Sequence, residues 1–236
     1  MRWNLLVRFL PLFAAALMAL QPAVAVAANE TSKVSDSANV LREIMAIPET
    51  EIPPQLFRSA YGIAVIPGLL KAGFIVGARF GSGVLSVNRG GKWSDPVFIS
   101  MGGGSFGFQI GAQSTDIILV FKTARGVDAI KSGKFTLGAD IAVAAGPVGR
   151  HAEASTDIQL RAEIYSYSRS RGVFAGVALE GAVLGVDQDA DLAFYGPKGA
   201  NPDDILAGRV KTPQAAVQFK QVLQKNTGTS KGKKKK

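Results

Sequence analysis

The stretch Trp93 to Gly111, WSDPVFISMGGGSFGFQIG, constrains this chain more than any other. A short apolar run, VFISM, enters three consecutive glycines. A strict alternation then places Phe106, Phe108 and Ile110 on one side, with Gly107, Gln109 and Gly111 on the other. Alternation of period two predicts a strand. Glycine at every second position of one strand face predicts that a backbone or a ligand comes close to it. The domain's own backbone or a helix is the first expectation there, and a lipid the second.

The chain has 236 residues and no cysteine. Its start reads as a secretory signal over residues 1–28: Arg2 and Arg8 flank an apolar core from Leu10 to Leu20, and Ala25-Val26-Ala27 forms a small-residue cleavage site. Pro11 and Pro22 interrupt the run, which falls short of the ~20 apolar residues of a membrane span. A cysteine-free chain cannot carry an amino-terminal lipid on cysteine, nor a disulfide. The expected organisation is a signal peptide at 1–28, one domain at 29–226, and a disordered lysine-rich tail at 227–236. Export to the periplasm or beyond, with membrane association as an option, is the expected location.

The net charge of +9 is unevenly distributed. Arg2 and Arg8 lie in the leader, and five lysines crowd Lys231 to Lys236, so the body is close to neutral. A run such as KGKKKK is ordinarily a solvated end. It can also draw a protein towards anionic lipid, at ~1 kcal/mol per lysine near the surface. No aromatic residue interleaves the lysines, so nucleic acid is not an expected partner.

Thr31 to Ala46 reads as an amphipathic helix with Val34, Leu41, Ile44 and Met45 on one face, ended by Pro48. It either packs on the domain or lies on a membrane surface. Pro53-Pro54 opens a second, short helix. From Tyr61 the texture changes. GIAVIPG, FIVGARF, GVLSV, VFISM, SFGFQIG and TDIILVF read as separate short strands, with a hairpin-like break at Asn88-Arg89-Gly90-Gly91. TDIILVF is continuously apolar and predicts burial on both faces. A short helix is expected over Thr123 to Ile130, and strands over Thr136 to Ala145 and Ile158 to Tyr167. In the last of these Ile158, Leu160, Ala162 and Ile164 point inward and Tyr165 outward. Gly172 to Val186 is another glycine-laced apolar segment, and Pro213 to Gln224 closes the domain as a helix. The fold class is therefore α+β: a predominantly antiparallel sheet of short glycine-rich strands flanked by an N-terminal and a C-terminal helix.

Three motifs hint at chemistry. Gly102 to Gly107 matches G-x-G-x-x-G, but a dinucleotide loop must open a helix and the alternation here predicts a strand. Gly103-Gly104-Ser105-Phe106-Gly107 matches the G-x-S-x-G nucleophile elbow. Asp116, Asp128, Asp140 and the single histidine, His151, follow in the right order, yet the helix that must follow the serine is again missing. Asp187-Gln188-Asp189-Ala190-Asp191 begins like a calcium loop, but Leu192 and Lys198 occupy its glycine and glutamate positions. A solvated turn is the plainer reading. No catalytic residue, cofactor or metal is assigned, and the chain is read as not an enzyme. The basic residues near glycine turns, Lys71, Arg79, Lys92, Lys122, Arg125, Arg150, Arg169 and Arg171, are the candidate contacts for lipid headgroups.

Taken together, GIAVIPGLLKAGFIVGARFGSGVL, WSDPVFISMGGGSFGFQIGAQSTDIILV, LGADIAVAAGPVGR, YSYSRSRGVFAGVALEGAVL, FYG and ILAGRVKTPQAAVQFKQVL resemble, in order, the SYLF family of lipid-binding domains, over roughly Leu41 to Leu223. The resemblance implies a non-enzymatic domain that binds phospholipid membranes, phosphoinositides above all in eukaryotic members, some of which also bind actin. Two departures stand out. The N-terminal helix here is only weakly basic, and an exported chain does not meet actin. The expected partner is thus phospholipid or another anionic lipid, with an envelope protein as a second candidate. The alternatives are a structural envelope protein that binds a protein or cell-wall polymer and, last, a Ser105 hydrolase.

Overall fold

The structure, a computed structural model, describes residues 21–47, 51–133, 135–147, 162–170, 173–176, 179–199 and 201–228. Helix α1 (Gln21–Ile44) leads into the short α2 (Pro54–Ser59), whose first turn holds proline as expected. The sheet begins with β1 (Gly62–Arg89), β2 (Lys92–Trp93) and β3 (Val97–Phe121). After α3 (Ala124–Lys131) come β4 (Phe135–Thr136), β5 (Val143–Ala145), β6 (Ile164–Ser170), β7 (Val173–Gly176) and β8 (Val183–Val186). Helices α4 (Gln188–Tyr195), α5 (Pro202–Leu206) and α6 (Gln214–Thr227) finish the domain. The α+β class with a mainly antiparallel sheet and a helix at each end is what the sequence predicts. Only the β5–β6 pair is parallel among the described strand pairs.

The segmentation differs. The three expected strands GIAVIPG, FIVGARF and GVLSV are one strand, β1, and VFISM, SFGFQIG and TDIILVF are likewise one strand, β3. The two run antiparallel from Gly62↔Phe121 to Leu85↔Val97. The boundaries between the expected strands of β1 are absorbed as irregularities of one ladder. Pro67-Gly68 falls in a register shift between Ile66 and Leu69, where a missing N–H costs no ladder bond. Gly68 takes φ +59°, and its amide donates to Asp116 Oδ1 at 2.9 Å. A second shift lies between Gly73 and Ile75. The real turn is Gly90-Gly91, both at positive φ, with the Gly91 amide donating to Asn88 Oδ1 at 2.9 Å.

Both ends of this ribbon are buried on both faces, as TDIILVF predicts. Ile118 and Val120 join one core with Ile63, Val65, Val84 and Phe98, under α1, α2, α4 and α6. Ile117, Leu119 and Phe121 join a second core with Ala64, Ile66, Leu85 and Ile99, closed by α3, β8 and α5. Each fully buried Leu, Ile or Phe contributes roughly 1.5–3 kcal/mol. Helix α1 packs on the domain through Val34, Ala38, Leu41 and Ile44, at the spacing of one helical face. It ends at Ile44, before Pro48, and Pro48 lies outside the described residues.

Two strand expectations need correction. Thr136 to Ala145 is broken: Gly138 takes φ +84°, and Asp140 folds back so that the Thr136 amide donates to its Oδ2 at 2.7 Å. Tyr165 does not face solvent. It is buried with Tyr167 beneath the helices, because β6 has a core on each side. Residues 158–161 lie outside the described residues.

The WSDP segment anchors the closing helices. Trp93 Nε1 donates to Thr227 Oγ1 at 3.2 Å, Thr212 Oγ1 to Asp95 Oδ2 at 2.9 Å, and Tyr195 Oη to the Pro96 carbonyl at 2.6 Å. Lys220 Nζ stands 2.6 Å from Asp95 Oδ1. Asp95, a charge in the protein interior, thus holds a cation and a hydroxyl, as a buried carboxylate must.

Candidate functional site

Strand β1 leaves the core, arches outward and returns across itself. A β-carbon on Gly83 would lie 1.9 Å from the Val65 carbonyl oxygen, and one on Gly81 would lie 3.1 Å from Leu69 Cα. Only glycine permits that approach. A close approach of the domain's own backbone is thus made at Gly81 and Gly83 of β1. Gly103, at the foot of the β3 leg, also comes close to backbone, near the Gly181 carbonyl. Between the crossing points, β1 from Leu70 to Phe80 pairs with β3 from Gly102 to Ser114. Among the described residues of this arch none is buried. Its outer edges take no further strand among the described pairings, since β8 stops at Gly102 and β6 at Asp116.

Leu70 is 50% exposed and Phe80 is 68% exposed. Each stands one residue beyond the Leu69–Gly81 crossing, so two apolar side chains flank the foot of the arch. Lys71 and Arg79 follow one step further out on the two legs. Arg79 Nε donates to the Gly104 carbonyl at 3.1 Å. Partial burial pulls the Arg79 pKa below the ordinary guanidinium value. Beside Phe80 opens a groove of about 390 Å³ between Ser100–Gly102 of β3, Val183–Val186 of β8 and the end of α3. Lys131 borders it, held by Asp203 at 2.7 Å and Asp128 at 3.2 Å. The Asp203 hydrogen bond raises the Lys131 pKa, and Lys131 in turn lowers that of Asp203.

The other sequence-predicted basic residues do not gather with Lys71 and Arg79. Lys92 is exposed beside the Gly90-Gly91 turn. Lys122 and Arg125 sit at the start of α3, where the Lys122 amide donates to the Glu163 carbonyl and Arg125 Nη1 reaches Glu163 Oε1 at 3.1 Å. Arg169 is taken by carboxylates: Nη2 lies 2.6 Å from Asp116 Oδ2, and Nη1 pairs with Glu43 of α1. That ion-paired cluster ties α1 and β6 to the foot of the arch. Arg150 and Arg171 lie outside the described residues, as do His151 and the Lys231 to Lys236 tail.

Ser105 lies inside β3, which runs unbroken from Val97 to Phe121, so neither glycine motif opens a helix. The Asp187 to Asp191 run begins a helix. Asp187 caps α4 by accepting from the Ala190 amide at 3.1 Å, and Asp191 turns into the core. There Asp191 Oδ1 accepts from the Phe98 amide at 2.8 Å, while Oδ2 has no hydrogen-bond partner. Burial pushes the Asp191 carboxyl up to about 8, with Asp187 and Glu30 adding to the rise and the Phe98 amide opposing it. Among the described residues no cluster of metal-ligating side chains forms. Sequence reasoning selected Lys71 and Arg79 but missed Leu70 and Phe80. Each is an ordinary apolar residue in an apolar run, and only the self-crossing of β1 reveals that both are left outside.

A family model described as Ysc84, a Las17-binding protein actin regulator, matches residues 102–226. The chain is 38% identical over 202 residues to the SH3 domain-containing YSC84-like protein 1 of Xenopus laevis, across 83% of this chain and 60% of that protein. The human protein of the same name is 36% identical, over 83% of this chain and 58% of its own length. LAS seventeen-binding protein 3 of Saccharomyces cerevisiae is 38% identical over 180 residues, across 73% of this chain and 38% of that protein. The chain thus spans about 60% of the length of the animal relatives it matches.

Proposed function

The chain belongs to the Ysc84, or SYLF, family, and from that membership we propose that it is a non-enzymatic module that binds phospholipid at a membrane surface of the cell envelope. The observation that carries the reading is the foot of the arch, where exposed Leu70 and Phe80 stand beside Lys71 and Arg79. Apolar side chains enter the headgroup boundary while cations meet phosphates. Partial burial of two such side chains, with ~1 kcal/mol for each cation, comes to on the order of 4 kcal/mol. That strength suits reversible, peripheral attachment, to which the Lys231 to Lys236 tail adds by charge alone. The leader-like stretch from Arg2 to Ala27 supports placing the module outside the cytoplasm.

The test is flotation with phosphatidylglycerol vesicles and with phosphatidylcholine vesicles at low and high salt. The expected result is co-flotation with the anionic vesicles that weakens with salt and persists, at lower affinity, when Lys231 to Lys236 are deleted. Absence of flotation with either vesicle at low salt would sink the lipid reading. The second reading, an envelope protein docked on the same arch, would then lead. It draws on the partner-binding descriptions of the relatives.

A further inference from the structure

We propose that the arch itself is the part that enters the bilayer, with residues 72–78 and 104–112 seated at the acyl boundary and Lys71 and Arg79 held at the level of the phosphates. This rests on the lipid reading above and adds to it the inserting element and its depth.

The ribbon's charge pattern is the starting point. Between Lys71 and Arg79, β1 reads AGFIVGA, without a charge. On β3 no charged residue occurs between Asp95 and Asp116. The ladder sets these two uncharged stretches against each other, Ala72↔Ala112, Gly73↔Gly111, Ile75↔Gly107 and Ala78↔Gly104. The outer part of the arch is therefore free of charge on both strands, and cations stand on both of its β1 legs. Its acidic residue, Asp116, sits at the foot and is bound by Arg169 and by the Gly68 amide. An anionic bilayer matches that order of charges. A solvated loop of this length would ordinarily carry some charge of its own.

Geometry limits the depth. Leu69 and Gly81 meet at the crossing, so each leg can extend at most about 20 Å at ~3.3 Å per residue. The inner edges of the two strands satisfy each other, but among the described pairings the outer edges take no further strand, which leaves their N–H and C=O groups without a ladder partner. Such groups are not tolerated in hydrocarbon, where each costs several kcal/mol. The arch therefore stops at the interface, about 5–10 Å deep, where headgroups and water can serve the open edges.

The chain has no cysteine, so a single introduced thiol reports one position. Ser105→Cys and Gln109→Cys place an environment-sensitive dye on the arch. Lys92→Cys and Ser132→Cys place it on exposed controls at the hairpin turn and at the end of α3. With phosphatidylglycerol vesicles, the expected result is a blue shift and quenching by acyl-brominated lipid at 105 and 109, and neither at 92 and 132. Phe74→Asp is expected to cut vesicle affinity tenfold or more while leaving the circular dichroism spectrum unchanged. Vesicle flotation with both arch dyes still in water would overturn the insertion and leave the lipid reading standing. A blue shift without vesicles that grows with protein concentration would overturn it in favour of a second copy of this chain. Failure to float at all would remove both readings.

Discussion

Gly83 lies against the Val65 backbone so closely that a β-carbon would stand 1.9 Å from the Val65 carbonyl oxygen and 2.6 Å from Ile66 Cα. The obstacle is main chain, which cannot swing aside as a side-chain end can. Gly83→Ala is expected to destabilise the fold by about 3 kcal/mol or more, above the usual cost of one surplus methyl group in a core. Urea denaturation checks it. Gly104, where a β-carbon would meet nothing within 4 Å, supplies the control: Gly104→Ala is expected to change stability by less than about 1 kcal/mol.

Lys71 and Arg79 flank the arch, whereas Arg169 is held by Asp116 and Glu43. Lys71→Ala and Arg79→Ala are each expected to lower affinity for anionic vesicles by about fivefold, the equivalent of ~1 kcal/mol per cation, and to flatten the salt dependence. Arg169→Ala is expected to lower thermal stability instead, with little change in vesicle affinity. Parallel vesicle titrations and melting curves separate the two effects. An affinity loss for Arg169→Ala equal to that of Lys71→Ala would return the whole basic set to the headgroup role.

Lys220 is the cation beside Asp95, whose side chain is 2% exposed. Lys220→Met would leave a buried carboxylate with Thr212 as its remaining side-chain partner among the described residues. The expected loss is about 2 kcal/mol, below the full cost of breaking a buried pair because Lys220 is partly solvated. Adding Asp95→Asn should restore part of that loss in a double-mutant cycle measured by urea denaturation.

Asp191 makes stability depend on pH. Its folded pKa, about 8, stands above the ordinary value of about 4 in an unfolded chain. Between those values the folded state keeps a proton that the unfolded chain has released. Stability therefore falls as pH rises from about 4 to about 8 and levels off above that. Asp191→Asn should remove this slope, leaving the variant close to the parent at pH 5 and more stable by on the order of a few kcal/mol at pH 8. Urea denaturation across that range checks it, and parallel curves for the two proteins would contradict the assignment.

Local pattern made the elements legible and left their length hidden. The face of α1 through Val34, Leu41 and Ile44, the proline start of α2, the Gly90-Gly91 turn and the two-sided burial of TDIILVF all follow from spacing and turn chemistry. Pro67-Gly68 marks the end of GIAVIPG in the sequence because a bulge and a strand end use the same residues. Whether the strand ends or bulges there depends on Asp116, which lies opposite and takes the Gly68 amide. The alternation around Tyr165 points it outward for a strand with one buried face, and a second core under the helices is a tertiary fact. The candidate site was half legible for the same reason. Charge marks Lys71 and Arg79 in the sequence, while the exposure of Leu70 and Phe80 depends on where β1 crosses itself.

That crossing also sets an order of folding. The ribbon has one tight turn, at Gly90-Gly91, and the pairs nearest it, such as Asn88↔Trp93, close short loops. Gly62↔Phe121 closes the longest. Loop closure of that length carries a greater entropic cost before any contact offsets it. Gly83 cannot seat on Val65 until the strand has zipped past the arch. The core that holds the arch in place is thus completed late, and until then Phe74, Phe106 and Phe108 belong to a ribbon with open edges. A membrane or a chaperone would meet the chain most readily in that interval.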